Sequence, residues 1–83
     1  MARTIHKYEL NYGTTAIPVG EQPIVRHVAV QNDKPTVWIE HDPSGRGNVV
    51  TLDLIGTGYP TPEHRAFVGT FFDGPFVWHV YRR

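Results

Sequence analysis

Five histidines, His6, His27, His41, His64 and His79, are the side chains best suited to chemistry near neutral pH, as metal ligands or proton carriers. Their spacing contains neither an HxH pair nor two histidines four apart, as a helical zinc site needs. A metal would require ligands converging from separate strands, with carboxylates completing the shell. They are therefore read as strand and surface histidines, and no metal site is expected. Nucleophilic catalysis has less to draw on. The single serine, Ser44, sits in the turn-rich stretch 42–48 without the context of a nucleophile elbow, and there is no cysteine. The eight carboxylates fall mostly where turns use them. Asp53 is the exception, lying between Leu52 and Leu54, and is expected to face solvent from a strand. No catalytic residue and no cofactor is assigned, and the chain is expected not to be an enzyme. An enzyme that degraded a nucleotide signal would have to rely on His64 or Asp53.

Binding chemistry is better represented. Gly56-Thr57-Gly58 lacks the spacing of a dinucleotide or P-loop fingerprint. Its glycines nevertheless allow backbone N–H groups to approach an anion. Tyr59 adds a stacking face, and His64 and Arg65 add donors to phosphate. Loop 56–65 is thus expected to bind a small phosphorylated, nucleotide-like ligand, with His6, Tyr8, Trp38 and His79 as secondary stacking or hydrogen-bonding contacts. The competing reading makes the same segment a connector stiffened by Pro60 and Pro62.

These residues must be positioned by strands. Residues 4–10 alternate, with Thr4, His6, Tyr8 and Leu10 on one face. Residues 14–19 are β-branched but contain Pro18, which suits an edge. Residues 20–23 read as a loop. Residues 24–31 and 36–41 form an antiparallel hairpin across Asn32-Asp33-Lys34. Residues 49–55 and 66–72 follow, with Gly69 marking a bulge or a close approach. Asp73-Gly74 is the hairpin turn before 76–81, with Phe72 and Phe76 expected to pair across it. Thr61 and Pro62 could open one helical turn. The pattern predicts an all-β, small single-domain antiparallel β-sandwich or barrel of about 6–7 strands over residues 1–83, with at most one helical turn.

Composition sets the outer limits. A chain of 83 residues makes one domain with a thin core. Eight basic and eight acidic residues cancel, which disfavours binding nucleic acid by charge alone. A single-strand-binding barrel remains an alternative, because 12% of the residues are aromatic. No apolar run could span a membrane, and the first residues lack a signal peptide's apolar stretch. Apolar residues on both faces of 66–72 and 76–81 imply a covered face. A homo-oligomer is expected, or a protein partner on the aromatic hairpin 67–81.

The opening Ala2-Arg3-Thr4-Ile5-His6-Lys7-Tyr8-Glu9-Leu10 resembles the start of a family of short, largely uncharacterised proteins of phages and prophages. Gly56-Thr57-Gly58-x-Pro60-x-Pro62, Val68-Gly69-Thr70-Phe71 and the closing Phe76-Val77-Trp78-His79-Val80-Tyr81 are similar too. The resemblance implies a phage product acting in the cytoplasm of the infected bacterial host. Very small phage proteins often counter host defence. They do so by sequestering cyclic or ADP-ribose-type nucleotide signals, or by binding a host protein. This chain is accordingly expected to sequester such a signal, the alternative being a protein–protein inhibitor of a host defence factor or a virion accessory module that uses the aromatic hairpin 67–81.

Overall fold

The computed structural model describes residues 2–63 and 65–83. Seven strands occupy most of them: β1 (Thr4–Glu9), β2 (Thr14–Val19), β3 (Glu21–Gln31), β4 (Lys34–Asp42), β5 (Asn48–Gly56), β6 (Ala66–Asp73) and β7 (Phe76–Arg82). They form two antiparallel sheets, ordered β1-β4-β3 and β2-β5-β7-β6. The sheets pack face to face as a sandwich. Among the described residues there is no helix, and 61–63 are irregular apart from a turn at Glu63.

The hydrophobic alternation builds the core. Val37 and Ile39 from β4 meet Val50, Leu52 and Leu54 from β5 and Val80 from β7. Each such side chain contributes about 1.5–3 kcal/mol through its removal from water. Phe71 is the one aromatic among the fully buried core residues. At one side the edge strands β3 and β6 lie against each other. There a Cβ at Gly69 would come within 3.1 Å of Val28 Cγ2. Gly69 also marks a register shift against β7, so it serves both a bulge and a close approach. At the other side the chain crosses from β1 to β2. Leu10 N donates to Pro35 O and Leu54 N to Gly13 O, each at 2.8 Å, so the crossing is hydrogen-bonded to both sheets.

Several local expectations need correction. Residues 21–23 belong to β3 rather than to a loop, because Gln22 at φ 51° and a register shift between Glu21 and Ile24 absorb the irregularity within the strand. A second shift between Val25 and His27 breaks strict alternation, so Val25 packs against the core with Val28 while Ile24 is exposed. Lys34 pairs with Gln31, which leaves Asn32-Asp33 as a two-residue turn with both φ values positive, the I′ pattern. Asp73 likewise pairs with Phe76, so the second turn is Gly74-Pro75. Gly74 supplies the positive φ. Phe72 therefore pairs with Val77 rather than with Phe76, and the two phenylalanines project to opposite faces.

Candidate functional site

The turn Gly74-Pro75 carries Phe76 and Trp78 to one face at the end of the four-stranded sheet. The β5–β6 connection folds beside them. Tyr59 N donates to Gly56 O at 3.1 Å, Thr57 N to Val77 O at 3.2 Å, and Gly58 takes a φ of 95°. Gly56 pairs with Trp78 across the ladder, and the Tyr59 ring lies over the position where a Cβ would stand. A cleft of about 420 Å³ results, walled by Gly56, Thr57, Tyr59, Phe76 and Trp78. On the other side of Phe76 and Trp78 lies a second cleft of about 460 Å³, closed by Tyr12, Asp73 and Gly74.

Tyr12 comes from the β1–β2 crossing. Its ring sits 5.1 Å from that of Trp78, and its hydroxyl donates to Asp73 Oδ2 at 2.7 Å. That hydrogen bond, with burial and the carboxylate's charge, raises the Tyr12 phenol above its ordinary value of 10.0. The Trp78 indole Nε1 is buried with no acceptor among the described residues. Tyr12, Tyr59 and Phe76 are 54%, 73% and 63% exposed, so the rim of the double cleft is aromatic.

Of the residues expected to bind ligand, Gly56, Thr57, Gly58, Tyr59 and His79 gather near this end. His79 faces outward between Thr57 and Thr70, whose hydroxyls lie 2.8 Å from Nε2 and 3.0 Å from Nδ1. Thr57 Oγ1 also lies 3.2 Å from Val77 O. With Thr57 donating to that carbonyl, it accepts from Nε2–H, and Thr70 donates to Nδ1.

Arg65 lies elsewhere. Its Nη1 donates to Asp53 Oδ2 at 3.0 Å. Arg83 donates to both carboxylate oxygens of Asp53 at 3.2 Å, and Thr14 Oγ1 donates to Oδ1 at 2.6 Å. Asp53 is 7% exposed, so the solvent-facing strand carboxylate expected from the sequence is instead enclosed and doubly paired. Burial alone would push its carboxyl up. The Arg83 and Thr14 hydrogen bonds and the charges of Arg83 and Arg65 outweigh burial and hold it below the ordinary 3.8.

His6, Tyr8 and Trp38 belong to the three-stranded sheet. His6 Nδ1 lies 3.1 Å from Nε2 of the buried His41, whose Nδ1 accepts the Gly20 N–H at 2.6 Å. That acceptance places the His41 proton on Nε2, which then donates to His6. Tyr8 stands edge-on to His6 at 6.5 Å, and Trp38 faces His27 at 5.6 Å. His64 lies outside the described residues. Among those that are described, no three His, Asp or Glu side chains group as metal ligands would.

The loop glycines and Tyr59 were legible from composition. Tyr12 and Asp73 were not, because they meet across 61 residues of chain. Phe76 and Trp78 could have been placed together from their spacing of two, once the turn was set at Gly74-Pro75. No curated protein and no solved structure matches this chain. A family model described as a domain of unknown function, DUF7352, matches residues 1–83 in full, and the chain belongs to that family.

Proposed function

We propose that this chain is a non-enzymatic binding domain that engages a protein partner through the aromatic end of its four-stranded sheet. The observation that carries this reading is where the aromatic rings are placed. Three of the ten, Tyr12, Tyr59 and Phe76, are exposed together at that end, while the fully buried core is aliphatic but for Phe71. Clustered exposed rings mark interaction surfaces, and aromatic anchors carry most of the energy of protein interfaces. In the phage setting that the sequence resemblance implies, such a domain would act by occupying a host factor. Phe67 and Phe72 on the outer face of β6 offer a further surface, on which a second copy could sit.

The test is a parallel capture from host extract with the native chain, Tyr59→Ser/Phe76→Ser and Trp38→Ser, all verified as folded. A partner held by the native chain and Trp38→Ser but lost by the double variant supports the reading. A partner held equally by all three refutes it.

A second reading fills the same cleft with a nucleobase, stacked on Tyr59 and Phe76 as part of a sequestered signal. It is favoured by the convergence of Gly56, Thr57 and Tyr59 on one wall. Thermal unfolding against cyclic oligonucleotides and ADP-ribose derivatives tests it. A true ligand at 100 times its Kd adds about 2.7 kcal/mol, on the order of 10 °C or more here. Recovery of an unchanged ligand would mark sequestration, and recovery of an altered one would mark an enzyme.

A further inference from the structure

We propose that the double cleft takes a cationic side chain, arginine or lysine, presented on an extended segment of the partner. This rests on the protein-partner reading above and adds the chemistry by which the partner is chosen.

Three observations converge on it. First, Tyr12, Trp78, Phe76 and Tyr59 surround the two clefts. The faces of such rings carry negative electrostatic potential and attract cations, the more so where water is displaced. Second, among the described residues Asp73 is the only charged one lining either cleft, and no lysine or arginine lines them. An anionic ligand would meet a carboxylate and no counter-charge, whereas a guanidinium or ammonium meets its complement.

Third, Asp73 differs from the acids that the fold itself neutralises. Glu40 is paired with Arg3 at 2.6 Å and Arg26 at 3.1 Å, Glu9 with Lys34 at 3.7 Å, and Asp53 with two arginines. Among the described residues Asp73 has no ion pair. Its Oδ2 accepts from the neutral Tyr12 hydroxyl, which fixes the carboxylate's orientation without cancelling its charge. Oδ1 is left as an acceptor, beside a ring that a planar guanidinium can stack on. The extended form of the partner follows from the shape. Two clefts that share the Phe76 and Trp78 rings as a common wall suit successive side chains of a strand-like or polyproline segment.

The chain's two tryptophans make the test internally controlled, since Trp78 floors the clefts and Trp38 lies on the other sheet. The indole N–H resonances are followed by NMR during titration with four blocked tripeptides of the form Pro-X-Pro. X is arginine, its neutral isostere citrulline, leucine or glutamate. The arginine peptide is expected to shift the Trp78 signal and not that of Trp38. The citrulline peptide should bind about tenfold more weakly, and Asp73→Asn should remove most of that difference. Asparagine keeps an acceptor for Tyr12, so the variant is expected to fold. Should it not, the arginine–citrulline pair decides the matter alone.

Equal binding of the arginine, citrulline and leucine peptides would overturn cation recognition while leaving a peptide-binding cleft intact. Preference for glutamate would overturn it outright. No Trp78 shift with any peptide, together with a shift from AMP, would overturn both this inference and the protein-partner reading.

Discussion

Asp53 and Asp73 make an instructive pair. Both are aspartates on strands of the four-stranded sheet, and both accept a hydroxyl hydrogen bond, from Thr14 and Tyr12 respectively. They differ in what completes the surroundings. Asp53 sits in the middle of β5, enclosed, with Arg65 and Arg83 neutralising it. It thereby ties β2, the end of the β5–β6 connection and the chain's last residue to one point. Asp73 ends β6 beside the turn, among aromatic rings, with a phenol in place of a guanidinium. A carboxylate whose charge is met inside the fold serves the fold. One whose charge is left unmet among stacking surfaces is available to a partner.

The largest effect should therefore come from removing Asp53. Asp53→Ala strands two guanidiniums around an enclosed site and deprives Thr14 of its acceptor. Because Arg65 and Arg83 keep 28% and 49% side-chain exposure, the cost falls below that of a fully buried pair, at about 2–3 kcal/mol. For a chain of this length that is a fall in Tm of roughly 10–20 °C by calorimetry. Asp73→Ala should cost far less, since only one exposed hydrogen bond is lost. Comparable losses in the two variants would erase the distinction drawn here.

Acid should act through Asp53 as well. Its folded carboxyl titrates below 3.8, so the unfolded chain binds the proton first as pH falls. The stabilisation is complete above about pH 4 and is lost as pH drops through the folded value. Glu40, held down by hydrogen bonds from Arg3 and Arg26, works in the same direction. Denaturant unfolding at a series of acidic pH values should show a shallower decline in Asp53→Asn than in the native protein. Parallel declines would mean that the Asp53 knot does not govern the acid limb.

Much of this contrast was out of reach of the sequence. Alternation in 4–10, 24–31, 36–41, 49–55 and 76–81 was enough to identify strands, because one face of each must leave water. It could not show that Gln22 would take a left-handed φ within a strand, since that depends on the pairing of Glu21 with Asp42. Nor could it show which aspartate would be buried. Asp53 owes its burial to arginines 12 and 30 residues away, one of them in the last position of the chain. The Gly56–Tyr59 wall was legible because glycine and tyrosine at a turn are local signals. The opposing wall required knowing that the β1–β2 crossing passes the β6–β7 turn.

Alkali should distinguish Asp73 where acid distinguishes Asp53. The Tyr12 phenol is raised by its hydrogen bond to Asp73, then by burial and the carboxylate's charge. A group raised on folding stabilises below its unfolded value, here 10.0, and that contribution disappears as pH climbs through the folded one. Tyrosinate absorbance should show one of the four tyrosines ionising later than a free phenol. In Asp73→Asn that transition should move down, because the charge that opposed ionisation is gone. An unmoved transition would place Tyr12 and Asp73 apart in solution.

The smallest expected effect on stability is at Gly56, and it tests the cleft without touching either carboxylate. A Cβ there would stand 3.3 Å from Tyr59 Cδ2 and 3.6 Å from Trp78 Cζ3. Tyr59 is largely exposed, so it can swing outward by a few tenths of an ångström, whereas Trp78 is held by Tyr12 and the ladder. Alanine also restricts the unfolded chain, which offsets the crowding. Gly56→Ala should thus leave stability within about 0.5 kcal/mol of the native value. Its effect should be on binding, because the Tyr59 wall moves while the Asp73 side stays in place. A several-fold loss of partner affinity at unchanged Tm would assign recognition to both clefts. Unchanged affinity would confine it to the Tyr12–Asp73 side, where the unmet charge lies.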